Sequence, residues 1–314
     1  MPASSTKLAK PPALRPGDTI GIIAPASNIK RAELESGCEA LRRAGYNPVY
    51  SSSIFDRDLY FAGTLERRVR EVEQMFERAD VRSIVCARGG YGANYLLGKI
   101  NLEAIQAHPK IFVGYSDVTC LLTQFTDTGL ITFHGPMAAK DWAHDDGVDL
   151  QSWQSALSQT ESWNVPLNRE VKPLIEGDAE GILYGGCLSI LVASLGTPHQ
   201  INTAGKILFV EDVGAKPYQI DRMLMQLKIG GHLNHVRALI FGEMLDCIQS
   251  PNQDYTLEDL ITRIVGDLNI PVAYGVKSGH VGGRNITLPF GVAARLSTHA
   301  DGVSLKILES AVSG

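Results

Sequence analysis

A serine, a carboxylate and a histidine, the side chains of acyl-transfer chemistry, each stand in this chain beside an expected strand end or glycine-rich turn. The serine is Ser116, in the run KIFVGYSDVTCLLTQF from Lys110 to Phe125. Ile111, Phe112 and Val113 suit a strand buried on both faces, and Gly114 tolerates backbone angles that other residues avoid. Val118, Leu121, Leu122 and Phe125 then recur at helical spacing. A serine at such a joint sits on a helix N-terminus, whose unpaired N–H groups favour developing negative charge. This is the logic of a nucleophile elbow, although Val118 stands where G-x-S-x-G has its second glycine. The competing role for Ser116 is a helix N-cap, and the segment alone favours the cap.

The carboxylates come from KILFVED, Lys206 to Asp212, at the end of an apolar strand. Glu211 is the candidate to orient a histidine, and a cap on the following turn is its equal alternative. Two histidines compete as general base: His280, in the glycine-rich loop SGHVGG from Ser278 to Gly283, and His134, beside its own strand end in His134-Gly135-Pro136. Spacing does not choose between them. The RGGYG turn, Arg88 to Gly92, lacks the Lys-Ser/Thr of a phosphate loop and the spacing of a dinucleotide fingerprint. Beside an elbow its better use is to supply a backbone N–H to an oxyanion hole, with Gly90 and Asp117 as the expected donors. Arg88, Tyr91 and Arg284 are the candidates for substrate contact.

These groups need elements to hold them. Thr19 to Ala24 reads as a strand and Arg31 to Ala44 as a helix closed by Gly45. Thr64 to Ala79 is a helix with Val69, Val72, Met75 and Phe76 on one stripe. Ser83 to Ala87 is a strand, Ala93 to Ile100 a helix, and Leu130 to Phe133 a further strand. Such alternation implies a parallel sheet covered by helices, with ligands beyond the C-terminal strand edges. Lys140 to Glu176 carries three tryptophans and no strong strand signal, and reads as a connector. Beyond it come a strand at Gly181 to Tyr184, a helix at Leu188 to Leu195, the strand ending at Glu211 and a helix at Ile220 to Leu227. Strands at Ala238 to Phe241 and Asn285 to Leu288 follow, with a closing hairpin at Val292 to Ser297 and Val303 to Leu308. The expected fold is α/β: a flavodoxin-like N-terminal domain over 1–140 bearing the elbow, a connector over 141–176, and a smaller strand-rich α/β domain over 177–314 bearing Glu211 and His280.

Composition narrows the partners. With 314 residues, 44% hydrophobic and 20% charged, the chain is long enough for two cores, and a formal net charge of -5 lacks the basic footprint of a nucleic-acid binder. Five scattered cysteines, with no C-x-x-C and no histidine at metal spacing, read as reduced, mostly buried thiols. No metal or cofactor is expected. MPASSTKLAKPPALRPGD lacks the apolar core of a signal peptide and no stretch reaches membrane-span length, so a cytoplasmic protein acting on a small molecule is expected.

Taken in order, the segments resemble the LD-carboxypeptidases, the serine peptidase family that also contains the microcin C self-immunity peptidases. The motifs are IGIIAPAS, YFAGT-x-x-x-R at Tyr60 to Arg68, RGGYGA at Arg88 to Ala93, GYSDVT at Gly114 to Thr119 and FHGPM at Phe133 to Met137. They continue with YGGCLSIL and SLGTP within Tyr184 to Pro198, LFVEDVGAKPYQIDRML at Leu208 to Leu224 and GHVGGRNITLPFG at Gly279 to Gly291. The resemblance implies a Ser116, His280 and Glu211 triad divided between two domains, and it overturns the preference for a cap at Ser116. It further implies a homodimer that removes the terminal D-alanine of murein tetrapeptides in cell-wall recycling. The alternatives are cleavage of peptidyl or aminoacyl nucleotides, and ligand binding without catalysis. Cys187 departs from the asparagine usual after the paired glycines, and the tryptophan-rich connector is the sequence's one support for an aromatic loop that stacks a base.

Overall fold

The computed structural model describes residues 8–248 and 253–314; Met1 to Lys7, where the stretch read above for targeting begins, lie outside the described residues. Through its first half the chain alternates β1 (Thr19–Ile23), α1 (Arg31–Arg43), β2 (Asn47–Val49), α2 (Leu65–Glu77), β3 (Val81–Cys86), α3 (Leu102–Ala107), β4 (Ile111–Gly114), α4 (Thr119–Asp127) and β5 (Thr132–His134). Next come α5 (Leu150–Ser158), β6 (Trp163–Asn164), β7 (Lys172–Ile175), β8 (Gly177–Cys187), α6 (Leu188–Ala193), β9 (Lys206–Glu211) and α7 (Pro217–Ile229). The described chain ends with β10 (Ala238–Gly242), α8 (Leu257–Val265), β11 (Val272–Val276), β12 (Leu288–Phe290), β13 (Ala293–His299) and β14 (Gly302–Ile307).

The first sheet runs β2-β1-β3-β4-β5-β12. Its first five strands are parallel, in the flavodoxin-like order 2-1-3-4-5. β12 joins the edge antiparallel to β5, Leu288 facing His134, so a strand from late in the sequence completes the early sheet. The second sheet, eight strands in the order β6-β14-β13-β8-β9-β10-β11-β7, is parallel through β8 to β11 and antiparallel at its flanks. One buried cluster runs from the first sheet through Leu183, Ile207, Phe209 and Ile240 of the second. Leu208, Val210 and Phe241 face the opposite way, onto α6, α7 and α8.

Local chemistry accounts for the departures from expectation. The helix read over Ala93 to Ile100 is a 3-10 turn at Ala93–Leu96, because Gly98 takes φ +70° and Asn101 restarts the chain by accepting the Ala104 N–H to cap α3. The strand read at Asn285 to Leu288 starts only at Leu288, because the Asn285 side chain is spent on the loop before it. The connector supplies α5, capped by Asp149, and the edge strands β6 and β7. Trp142, Trp153 and Trp163 are all buried, so none is free to stack a base. No helix among the described residues is long and apolar enough to cross a membrane.

Candidate active site

Ser116 follows β4 at φ +63°, a left-handed conformation that is costly for a residue with a Cβ. Such strain persists where surroundings over-determine it, and it fits the sharp strand-to-helix turn of an elbow rather than a cap, whose backbone is normally extended. No backbone N–H is capped by the Ser116 side chain; a 3-10 turn at Ser116–Val118 leads straight into α4.

The RGGYG turn packs directly on this serine. A Cβ on Gly89 would lie 2.8 Å from Ser116 Cβ, 3.0 Å from its Oγ and 3.2 Å from the Asp117 nitrogen. Gly90, expected to be the donor glycine, has φ +103°, as Gly92 of the same turn has φ +118°, and a Cβ on Gly90 would strike Ser27 Oγ at 2.4 Å. Ser27 accepts the Tyr91 N–H at 3.0 Å, tying the IIAPAS loop to the turn. The Asp117 carboxylate accepts the Ala93 N–H at 2.7 Å, clamping the turn to the elbow from the other side. Gly89 and Ser27 escaped sequence reasoning; the paired glycines were the signal that one of them serves close approach.

The second sheet brings up Glu211 at the end of β9, fully buried. Its Oε2 accepts both the His280 backbone N–H at 3.0 Å and His280 Nδ1 at 2.7 Å. Glycines make this fit possible: a Cβ on Gly279, at φ +94°, would lie 2.6 Å from Glu211 Cδ, and one on Gly242 would lie 2.6 Å from Glu211 Cβ. Asn285 holds the His280 loop by accepting the Gly279 N–H and donating to the Gly279 carbonyl and to Asp141. The His280 ring meets Tyr115, the neighbour of Ser116, edge to face at 5.1 Å between centroids. Tyr115 is fixed in turn by donating to Asp141 Oδ1 at 3.2 Å. The elbow, His280 and Glu211 therefore converge at one junction of the two sheets. Across it the Cys187 N–H donates to Thr119 Oγ1 at 3.0 Å, where Gly186 lies too close to Thr119 to carry a side chain.

The electrostatics suit a base. Burial disfavours the His280 cation, but the hydrogen bond and charge of Glu211, helped by Asp212, outweigh it and raise the imidazole above its ordinary pKa. Burial also penalises the Glu211 anion, yet the flanking imidazoles of His134 and His280 hold the carboxyl well below its usual range. His134 is fully buried and its pKa is lowered, chiefly by desolvation, so it stays neutral. Its Nδ1 meets Ser278 Oγ at 2.8 Å and its Nε2 lies 3.8 Å from Glu211 Oε1. His280 and His134 thus flank one carboxylate, and His280 carries its hydrogen bonds.

Cys187, Glu211 and His280 place donor atoms within 4.8 Å of one another, and are the described residues best arranged to take a metal ion. As the side chains stand, His280 Nδ1 is committed to Glu211, and burial pushes the Cys187 thiol well above its ordinary pKa, so a metal would have to displace a proton from each. Arg88 is half-buried near Asn28, Tyr91 is exposed on the turn, and Arg284 pairs with Asp146 at the surface. A crevice of about 280 Å³ between Tyr91, Asp117 and Cys120 on one side and Ile190 and Ser194 on the other adjoins the elbow. The larger groove, about 710 Å³, is lined by Arg57, Arg67, Arg70 and Arg78 around α2 and contains none of the junction residues.

Comparison with known proteins supplies the family. Residues 20–135 match the LD-carboxypeptidase N-terminal domain and residues 180–296 the LD-carboxypeptidase C-terminal domain. A probable murein peptide carboxypeptidase of Bacillus subtilis is 38% identical over 296 residues, 92% of each chain. The muramoyltetrapeptide carboxypeptidase of Oxalobacter formigenes superposes with a TM-score of 0.82 at 29% identity, over 93% of this chain and 99% of that one. The microcin C7 self-immunity protein MccF in its wild-type apo state superposes with a TM-score of 0.90 at 26% identity, over 97% of this chain and all (100%) of that one. A strained serine at the end of a parallel strand, and a Glu–His pair packed on the tyrosine beside it, sit in a chain that belongs to the LD-carboxypeptidase family.

Proposed function

We propose that the protein is a serine carboxypeptidase that releases the terminal D-alanine of murein tetrapeptides by hydrolysing the amide between the L-centre of diaminopimelate and D-Ala. The observation that carries this reading is the Glu211–His280 pair set against the elbow through Tyr115. With Nδ1–H donated to Glu211, His280 keeps the Nε2 lone pair to take the Ser116 proton as Oγ attacks the scissile carbonyl. The N–H groups of Gly90 and Asp117 would hold the oxyanion. Collapse of the tetrahedral adduct breaks the C–N bond; the D-Ala amine leaves with the proton from His280, and water, deprotonated by the same imidazole, hydrolyses the acyl-enzyme. Glu211 fixes the tautomer and stabilises the imidazolium.

Arg88 and Tyr91, beside the elbow, are the proposed substrate contacts; Arg284 would need to leave Asp146 to join them. Division of labour between residues 1–140 and 177–314, a homodimeric assembly and a cytoplasmic role in peptidoglycan recycling complete the reading. Burial of all three tryptophans favours the peptide over a peptidyl nucleotide. The test is D-Ala release from a tetrapeptide. Wild-type protein should turn over and be indifferent to EDTA, whereas Ser116→Ala should lose roughly a million-fold in kcat while remaining folded. A folded Ser116→Ala protein at near wild-type rate, or cleavage of a peptidyl nucleotide with no D-Ala release, refutes the proposal.

A further inference from the structure

Two polar atoms at the centre of the junction lack partners: His134 Nε2 and Glu211 Oε1, both fully buried and both without a hydrogen bond. They face each other at 3.8 Å. Buried groups of this kind are rare, because each forfeits its hydration without compensation. Two that confront one another across less than 4 Å are mutually explained when one donates and the other accepts.

The tautomer follows from the surroundings. Glu211 is held as an anion, so its Oε1 accepts only. A His134 tautomer with its proton on Nδ1 would aim the Nε2 lone pair at that anion; the tautomer with the proton on Nε2 aims an N–H at it. Nδ1 must then accept, and Ser278 Oγ, 2.8 Å away and two residues before His280, is the hydroxyl that donates. Phe209 at 5.1 Å and Phe290 at 5.5 Å wall the ring in and keep it uncharged. A shift of about 1 Å closes the gap to hydrogen-bond length, and such contacts commonly tighten as the reaction proceeds.

We propose that His134 is a positioning residue: its Nε2–H grips Glu211 Oε1, so that the carboxylate is held from both sides in the chain Ser278–His134–Glu211–His280. The proposal rests on the triad reading above. Its consequence is electrostatic as well as geometric. With Oε1 occupied by a donor, negative charge is shared between the two carboxylate oxygens. With that donor gone, charge concentrates on Oε2, and the Glu211–His280 pair binds its proton more tightly. The other groups around the pair are Asp212 just after β9, Cys187 at the end of β8, Tyr115 at the elbow, and Lys140 and Asp141 after β5. None replaces the donor to Oε1, which has no other partner.

The experiment compares His134→Gln with His134→Phe in the full chain. A glutamine amide nitrogen reaches the place of Nε2 and donates; a phenylalanine ring fills the apolar walls and does not. The direct readout is the NMR titration of the His280 ring in the resting protein, which needs no turnover. The apparent pKa should rise by about 0.5–1 unit in His134→Phe and stay near wild type in His134→Gln. kcat at neutral pH should fall on the order of 10–100-fold in the Phe variant with little change in KM, and recover most of that loss in the Gln variant. If the two variants match each other in the titration, at whatever activity, the proposal is overturned. Should His134→Phe not fold, Ser278→Ala, which frees the tautomer, must shift the titration in the same direction; an unmoved titration there is equally fatal. An active Ser116→Ala protein would sink the triad reading, whereas these titrations address the chain around Glu211 whatever that outcome.

Discussion

Gly89→Ala isolates the elbow geometry from the chemistry of its side chains. Gly89 does not occupy the left-handed region, so alanine is compatible with its backbone and the whole effect comes from one methyl group. That methyl would sit 2.8 Å from Ser116 Cβ and 3.0 Å from Oγ. Carbon atoms rest at about 3.5–4.0 Å, so the serine or the turn must retreat by about 1 Å. Overpacking of this kind costs about 1–3 kcal/mol of stability, which a folded enzyme survives. Catalysis should not escape as lightly, since a misplacement of about 1 Å is worth on the order of 100-fold. The expected result is a folded protein whose kcat for D-Ala release falls about 100-fold, with a much smaller change in KM. Gly283→Ala is the control: it lies three residues beyond His280, has no atom within 4 Å of its added methyl and no left-handed φ, and should stay within about threefold of wild type. Wild-type kcat in Gly89→Ala would mean that the turn does not press on a working nucleophile, and the elbow argument would fail.

The pH profile carries a signed prediction. Activity needs neutral His280, whose pKa is raised, so kcat/KM should fall as pH drops through a value above the ordinary histidine pKa of about 6.5. Glu211→Gln removes the charge that raises it while burial remains, so the limb should move to lower pH and kcat should drop on the order of ten-thousand-fold; a limb that stays in place in Glu211→Gln would contradict the pairing. Strain at Ser116 gives a stability prediction independent of turnover. At φ +63° glycine avoids the left-handed cost that alanine bears, so Ser116→Gly should unfold at higher urea than Ser116→Ala by about 1 kcal/mol, and the opposite order would place no strain there.

The fold was legible where burial repeats at short range. The apolar run before Gly114, the stripe of the Thr64 helix and the strand ending at Glu211 all lie where periodicity puts them, because each buries a face against its immediate neighbours. The Thr256 and Asp259 capping box at the start of α8 was equally readable and was missed. What periodicity does not carry is a polar residue whose partner is remote. Asn285 looked like the first residue of a strand, and its amide instead closes a loop on Gly279 and reaches Asp141, 144 positions earlier in the chain. Trp142 and Trp153, which as a tryptophan-rich stretch suggested a stacking surface, pack edge to face on each other inside the core.

The choice between His134 and His280 shows why the site needed tertiary information. Both stand next to strands and glycines, and local sequence ranks them equally. The deciding feature is that β12 leaves the second half of the chain to pair with β5, setting Leu288 opposite His134. Between β11 in the second sheet and β12 in the first, the chain must cross the junction of the two sheets, and His280 lies on that crossing. His134, by contrast, ends β5 beneath the crossing, sealed by Phe209 and Phe290 and without exposed surface. One imidazole is therefore partly open and hydrogen-bonded to Glu211; the other is dry, neutral and placed behind the carboxylate. The same strand pairing that assembles the sheet edge gives the two histidines their different surroundings, on which the proposed division of work rests, and a one-dimensional pattern holds no record of it.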